Sequence, residues 1–271
     1  MNAPILAPRT ALFLPASNPR AIAKAATLRP DLIILDLEDA VAEADKDRAR
    51  DAAVTAVAGE LAGKRVAIRV NGTGHPAWSA DVDAVMASPA AFIVLPKVEG
   101  DVVVPFGDKP VLAMIETPRG VLDAPAIAAM PAVAGLIAGT NDLMATLGMP
   151  LGGMPPGSGR AGLTLALQAI VLAARASGVW ALDGVFNALD DPEGLAAECR
   201  EGRSFGFDGK TLIHPGQIDV AAAAFGPTEA ELADARALVA AASGGAQRFR
   251  DRMIEAMHVE QARALIARAD G

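Results

Sequence analysis

The chain has 271 residues, 52% hydrophobic and 21% charged, with a formal net charge of -8, which suits one compact domain with a small appendage. Its 24 basic residues are scattered, which excludes a nucleic-acid footprint. The single Cys199 excludes an internal disulfide or a cysteine metal cluster, as in a reducing cytoplasm.

Mean hydropathy is high at +0.32. The longest uncharged run, 124–141, is nevertheless cut by Pro125, Pro131, Gly135 and Gly139, so a membrane-spanning helix is not expected there. The N-terminus lacks the basic region of a signal peptide. The expectation is a soluble, cytoplasmic protein, mature from Met1.

In chain order, short apolar bursts alternate with longer amphipathic stretches, the pattern of repeated βα units around a parallel sheet. The expected strands are 11–15, 32–39, 65–71, 91–97, 111–117, 133–139, 179–186 and 209–213. Helical stretches fall at 19–29, 44–61, 78–87, 162–178 and 192–206, while 98–108, after the fourth strand, is too short and β-branched for a good helix. Eight such strands predict a (β/α)8 barrel over residues 1–225. A helix over 226–243, capped by Thr228 with Glu231 three residues on, begins a C-terminal helical extension over 226–271.

In such a barrel the carboxyl ends of the strands carry the active site. There the sequence delivers Asp36, Glu38 and Asp39, then Arg69 and Asn71, Lys97, Glu116, Asp142, Asp183 and His214. Glu116 and Asp142 are 26 residues apart, one βα unit, so their carboxylates can converge on one hard cation such as Mg2+. The alternative for Glu116 is an ion pair with Arg69 or Arg119. The planar fork of Arg69 suits a substrate carboxylate or a developing enolate, and its alternative is a bridge to Asp36 or Glu38. The surplus acids are expected to pair with Lys46, Arg48 or Arg50. His214 reads as a hydrogen-bonded strand-end residue, and Trp78 and Trp180 read as core. "GSGRAG" (157–162) matches G-x-G-x-x-G without a preceding strand, so it reads as a loop near the mouth.

In order along the chain stand "RTALFLP" (9–15), "LDLEDAV" with "KDRAR" (35–50), "IRVNG" (68–72), "LPKVE" (95–99), "IETPRGV" (115–121), "GTNDL" (139–143), "ALDGVF" (181–186) and "GFDGKTLIHPGQI" (206–218). This ordered set, spanning nearly the whole chain, resembles the HpcH/HpaI aldolase family and, within it, the citrate lyase beta subunit-like (CitE-like) branch. The resemblance implies a barrel of the phosphoenolpyruvate/pyruvate type in which Glu116 and Asp142 bind Mg2+, with Mn2+ as its substitute. A 2-oxo acid would chelate that ion, while Arg69 and Arg9 hold acyl or carboxylate oxygens and Asp36 and Glu38 join Glu116 in the substrate-binding set. The implied activity is a carbon–carbon lyase or condensing enzyme that cleaves a 3-hydroxyacyl-CoA, such as malyl-, citramalyl- or citryl-CoA, to acetyl-CoA and a 2-oxo acid.

The resemblance also implies a homotrimer whose C-terminal segment closes as a lid over a neighbouring subunit's site. Where relatives carry an aspartate in a "MID"-like motif, this chain has Glu255 in "RMIEAMHVEQA", with His258 three residues on. Glu255 is therefore the candidate general base, beside Arg69 as the catalytic pair. Two alternatives stand beside the acyl-CoA lyase: a CoA-independent class II aldolase acting on free 2-oxo acids, and a non-catalytic component of a multisubunit citrate lyase.

Overall fold

The computed structural model describes residues 6–100, 107–150 and 160–270. Its elements are β1 (Thr10–Pro15), α1 (Pro19–Thr27), β2 (Leu32–Asp36), α2 (Lys46–Ala58), β3 (Val66–Arg69), α3 (Trp78–Ala87), β4 (Phe92–Leu95) and β5 (Val111–Ile115). There follow α4 (Pro118–Ala128), β6 (Val133–Ala138), α5 (Thr140–Thr146), α6 (Thr164–Ser177), β7 (Trp180–Asp183), α7 (Pro192–Phe205), β8 (Gly209–Leu212) and α8 (Ile218–Phe225). Strands β1 to β8 are all parallel, and β1 bonds to both β2 and β8, so the expected (β/α)8 barrel closes. Among the described residues no helix is long and apolar enough to cross a membrane.

Both faces of every strand are covered, which is why the strands read as near-continuous apolar runs. Ile34, Ala67, Phe92, Leu112, Met114 and Leu182 fill the barrel, and the alternate residues, such as Ile33, Ile68 and Ala113, pack outward against the helices. This period of two fixes where the next charged residues point. Asp36 follows Ile34, Arg69 follows Ala67 and Glu116 follows Met114, so all three face the axis at the carboxyl end.

Three helices start in the same way. Asn18, Thr117 and Asp191 each accept a backbone N–H from the first turn, and a proline stands at the first helical position of α1, α4 and α7. In "IETPRG" the strand therefore ends, Thr117 caps and Pro118 begins the helix within three residues, leaving the Glu116 side chain at the mouth.

Beyond Phe225 come α9 (Glu229–Ala241), a hairpin of β9 (Gln247–Phe249) and β10 (Arg252–Ile254), and α10 (Ala256–Asp270). The capping box between Thr228 and Glu231 is present. Ala235, Leu238, Phe249, Ile254 and Ala262 form a small core of their own. Two contacts tie this unit to the amino-terminal end of the barrel: Glu231 with Arg203, at 2.9 Å, and Arg268 with the carbonyl of Asp208. Of the loops singled out in the sequence, residues 101–106 of 98–108 and 157–159 of "GSGRAG" lie outside the described residues.

Candidate active site

At the carboxyl ends of the strands lies a cavity of about 440 Å3, lined by Asp36, Asp39, Arg69, Glu116 and Asp142 among others. Asp36 and Arg69 are register partners on β2 and β3, so their side chains leave the sheet side by side. The guanidinium lies against the carboxylate, Nε to Oδ1 at 2.7 Å and Nη2 to Oδ2 at 2.6 Å. Its Nη1 is 3.0 Å from Glu38 Oε2 and 3.7 Å from Met114 Sδ. The Phe13 ring centroid is 5.1 Å away. Burial opposes the charge on Arg69, but Asp36, Glu38 and Glu116 outweigh it and hold the pKa above its ordinary value. Such a bidentate, buried fork cannot swing freely, so Arg69 presents a fixed positive edge to the cavity.

Asp36, expected among the substrate-binding residues, lines the cavity but has both oxygens engaged. Its Oδ1 also accepts the N–H of Glu38 at 2.9 Å and its Oδ2 that of Ala40 at 3.1 Å. With both oxygens doubly bonded, Asp36 holds Arg69 and the loop after β2. Glu38 Oε1 accepts from Lys97, while its buried Oε2 lies 3.0 Å from Arg69 Nη1 as an ion pair without a hydrogen bond. Nor do the surplus acids pair as expected: Lys46 Nζ donates to the carbonyls of Leu37 and Glu38, Arg48 meets Asp45, and Arg50 meets Asp47 and Asp81.

Lys97 joins the two candidate metal carboxylates. Its φ is 51°, left-handed and uncommon outside glycine, a conformation that costs about 1–2 kcal/mol. That turn aims its N–H at Glu116 Oε1, 2.7 Å away, and its ammonium at Glu38 Oε1, 2.6 Å away. The same ammonium is 3.4 Å from Asp142 Oδ2. Burial opposes its charge, yet Glu38, Asp39 and Glu116 raise its pKa. Glu116 is itself 3% exposed. Burial pushes its carboxyl up to about 7; the Lys97 N–H and Arg69 work against the shift, while Glu38 and Asp142 reinforce it. Arg119, a considered partner for Glu116, pairs instead with Asp123.

The mouth thus gathers five carboxylates, Asp36, Glu38, Asp39, Glu116 and Asp142, around two cations, Arg69 and Lys97. Among the described residues no group of three or more His, Cys, Asp or Glu is arranged to hold a metal. What fits is a hard cation that takes one or two carboxylates and leaves its other positions to water and ligand. Glu116, repelled by its acidic neighbours, and Asp142, in the first turn of α5, are two carboxylates that could hold such an ion.

Other expected site residues lie elsewhere. Arg9 precedes β1, at the opposite end of the barrel from Glu116, where its N–H, Nε and Nη2 all bond to Asp31 at 2.7, 3.1 and 3.3 Å. Asp183 points outward from β7 and is buried against Arg160 at 2.5 Å and Lys210 at 3.0 Å. Burial raises its pKa, but Lys210 and Arg160 together outweigh that and hold the carboxylate below its usual range. Glu255 is exposed at the start of α10, its N–H donating to His258 Nδ1 at 3.0 Å, and does not line the mouth of its own chain. His214 Nδ1 accepts the N–H of Gly216 at 3.1 Å. Cys199 is buried on α7 and burial pushes its thiol up to about 11, so it is no nucleophile. Trp180 meets Phe92 edge-on at 5.3 Å within the barrel.

Two residues gain meaning only in three dimensions. Lys97 stood in the list of polar strand ends without a role, and Gly139, inside "GTNDL", faces Glu116 where a Cβ would collide with it. A glycine directly after an apolar strand is the one sequence cue to the second.

Comparison with known proteins agrees with this geometry. The family model HpcH/HpaI aldolase/citrate lyase matches residues 9–104 and 106–215. A (3S)-malyl-CoA thioesterase of Cereibacter sphaeroides is 40% identical over 97% of this chain and 94% of its own length. A citrate lyase subunit beta-like protein of Mycobacterium tuberculosis is 37% identical over 95% of this chain and 94% of its own. The crystal structure of CitE from M. tuberculosis in complex with magnesium, acetoacetate and coenzyme A superposes with a TM-score of 0.86 at 36% identity, covering 97% of this chain and 98% of that one. A closed barrel with acids and a locked arginine at its mouth, matched across most of its length by these enzymes, places the chain in the HpcH/HpaI aldolase/citrate lyase family.

Proposed function

We propose that the chain is a Mg2+-dependent lyase that breaks the carbon–carbon bond of a 3-hydroxyacyl-CoA of the malyl-, citramalyl- or citryl-CoA kind, giving acetyl-CoA and a 2-oxo acid. The observation that carries this reading is the convergence of Glu116 and Asp142 with the Asp36-locked Arg69 on one cavity. It is supported by the CitE relative that binds magnesium, a keto acid and coenzyme A.

When bound, Mg2+ or Mn2+ supplies positive charge that stabilises a negative oxygen on the carbon that becomes the ketone. Glu116 and Asp142 hold the ion. A base removes the hydroxyl proton, the C–O bond becomes a carbonyl, and the electron pair of the breaking C–C bond moves into the thioester as an enolate. Arg69, unable to turn away, stabilises that enolate oxygen. The enolate then takes a proton on carbon and leaves as acetyl-CoA. Glu255 is our candidate base, delivered by the neighbouring chain of a homotrimer, because in its own chain the extension is tied to the far end of the barrel.

A second reading is malyl-CoA hydrolysis, favoured by the thioesterase at 40% identity. The two differ in which bond breaks. Purified protein with Mg2+ is incubated with malyl-, citramalyl- and citryl-CoA, with Glu116→Ala alongside, and products are separated by mass. Acetyl-CoA with a 2-oxo acid supports the lyase; free CoA with the intact 3-hydroxy acid supports the hydrolase. Turnover of none of the thioesters rejects both, and free 4-hydroxy-2-oxo acids, then added partner subunits, become the next substrates to try.

A further inference from the structure

We propose that the amino-terminal end of the barrel, opposite the mouth, holds a second ligand site, one for a phosphate-bearing small molecule, built by Arg9, Arg65 and Arg268. The three arginines line a cavity of about 690 Å3 in which, among the described residues, Asp31 is the only carboxylate. The chain as a whole carries a formal net charge of -8, so a basic hollow of this size runs against its composition.

Each guanidinium is held in place. Arg9 Nε and Nη2 donate to Asp31, which also accepts the Arg9 backbone N–H. Arg65 shares the inward face of β3 with Arg69 but sits at the other end; its guanidinium carbon lies 5.2 Å from the Phe92 ring centroid and 4.6 Å from that of Trp180, and its Nη1 donates to the Leu6 carbonyl at 2.9 Å. Arg268 reaches in from α10 and donates to the Asp208 carbonyl. Arg65 Nη2 has no hydrogen-bond partner among the described residues but is sealed from solvent, so an oxyanion in the cavity is met instead by the accessible edges of Arg9, Arg65 and Arg268 that line it.

The electrostatics agree. Burial lowers the pKa of Arg65, and Asp31 only partly offsets it. Burial also lowers that of Arg268, Asp208 raises it, and the like charge of Arg9 lowers it again. Phosphate is the fitting chemistry because its oxygens can accept from three forks at once. Pro8, Ala222, Pro227 and Leu232 leave apolar wall for the rest of a small molecule. Arg9 and Arg65 belong to the barrel and Arg268 to the C-terminal extension, so the bound anion bridges the two and fixes α10 against the barrel.

The test is calorimetric titration of the full chain with inorganic pyrophosphate, in EDTA so that no divalent cation takes part. Wild type is compared with Arg65→Gln, Arg268→Gln and Glu116→Gln. We expect saturable binding at one site per chain, weakened at least tenfold by either arginine substitution and unchanged by Glu116→Gln at the mouth. Absence of saturable binding to wild type overturns the proposal. So does binding that survives both arginine substitutions, or that depends on Glu116. Should Arg65→Gln fail to fold by circular dichroism, Arg268→Gln, on the last turn of α10 and away from the barrel core, decides alone.

Discussion

Replacing Gly139 by alanine tests the mouth through space while leaving every charge in place. Ile115 and Ala138 are register partners on β5 and β6, so Gly139 stands beside Glu116 just past the sheet. A Cβ built on Gly139 falls below 3.0 Å from both the Cβ and the Oε2 of Glu116, and 3.1 Å from its Cδ. Ordinary carbon contacts need about 3.5–4.0 Å, so Glu116 must withdraw by about 1 Å. Its Cβ is no flexible end and can move only with the strand terminus. The φ of -93° at Gly139 is comfortable for alanine, which leaves the collision as the whole effect. Overpacking of this kind costs about 1–3 kcal/mol, or about 2–12 °C of melting temperature at this size. A displacement of about 1 Å in a positioning group costs about 100-fold in rate. Gly139→Ala should therefore fold, melt modestly lower, need more Mg2+ and cleave thioester about 100-fold more slowly. The assay pairs kcat/KM over a Mg2+ titration with thermal unfolding. Wild-type turnover and metal dependence in Gly139→Ala would refute the placement of Glu116 as a metal ligand.

Three further outcomes follow from the same geometry. Asp183→Asn leaves the fully buried Lys210 with only Glu198, which should destabilise by about 3–5 kcal/mol. Because the folded pKa of Asp183 is depressed, its stabilisation is present above the ordinary carboxylate range and lost as pH falls through the folded value, so urea melts of wild type and variant should differ at pH 7 and converge in acid; a pH-independent gap rejects the ion-pair account. At Lys97, glycine accepts the φ of 51° and alanine does not, so Lys97→Gly should melt higher than Lys97→Ala by about 1 kcal/mol in unfolding titrations; the reverse order rejects backbone strain there. If Glu255 serves a neighbour's mouth, Glu255→Gln and Glu116→Ala chains, each inactive alone, should recover activity when co-folded, and silence of the mixture removes Glu255 from the mechanism.

All eight strands were legible because each is buried on both faces and so reads as an apolar run bounded by polar residues. Each expected strand from the second to the seventh ran past its true end, taking in Glu38, Asn71, Lys97, Thr117, Gly139 and Phe186, since composition cannot mark where ladder bonding stops and a functional loop begins. The helices that escaped, α4, α5 and α8, are a proline-bearing segment and two short ones, too brief or too interrupted for a 3.6-residue period to show. The hairpin of β9 and β10 has three residues a strand and left no pattern at all. At the site, Glu116, Arg69 and Asp142 were found by their place at strand ends. Asp183 misled because a strand-end acid can face either way, and only the phase with Leu182, which points inward, shows that it faces α7. Arg9 misled for a different reason: it stands at the start of its strand, and strand starts open on the other end of the barrel.

That difference between ends has an electrostatic logic. In a βα repeat each helix begins near the mouth and ends near the foot, so helix amino termini, with their partial positive charge, surround the mouth and carboxyl termini the foot. The sequence follows this polarity: Asp142 lies in the first turn of α5 and Glu193 in that of α7, while Lys24, Arg175 and Arg203 occupy the last turns of α1, α6 and α7. Acids at the mouth and bases at the foot are thus each stabilised by the backbone around them. The same backbone disfavours the ligands of opposite sign, since a cation at the mouth meets helix amino termini and an anion at the foot meets carboxyl termini. A matched number of acids and bases could not overcome that. The mouth carries five carboxylates around two cations, and the foot three arginines near Asp31 and Asp208, a surplus at each end of the sign that the proposed Mg2+ site above the barrel and phosphate site below it require.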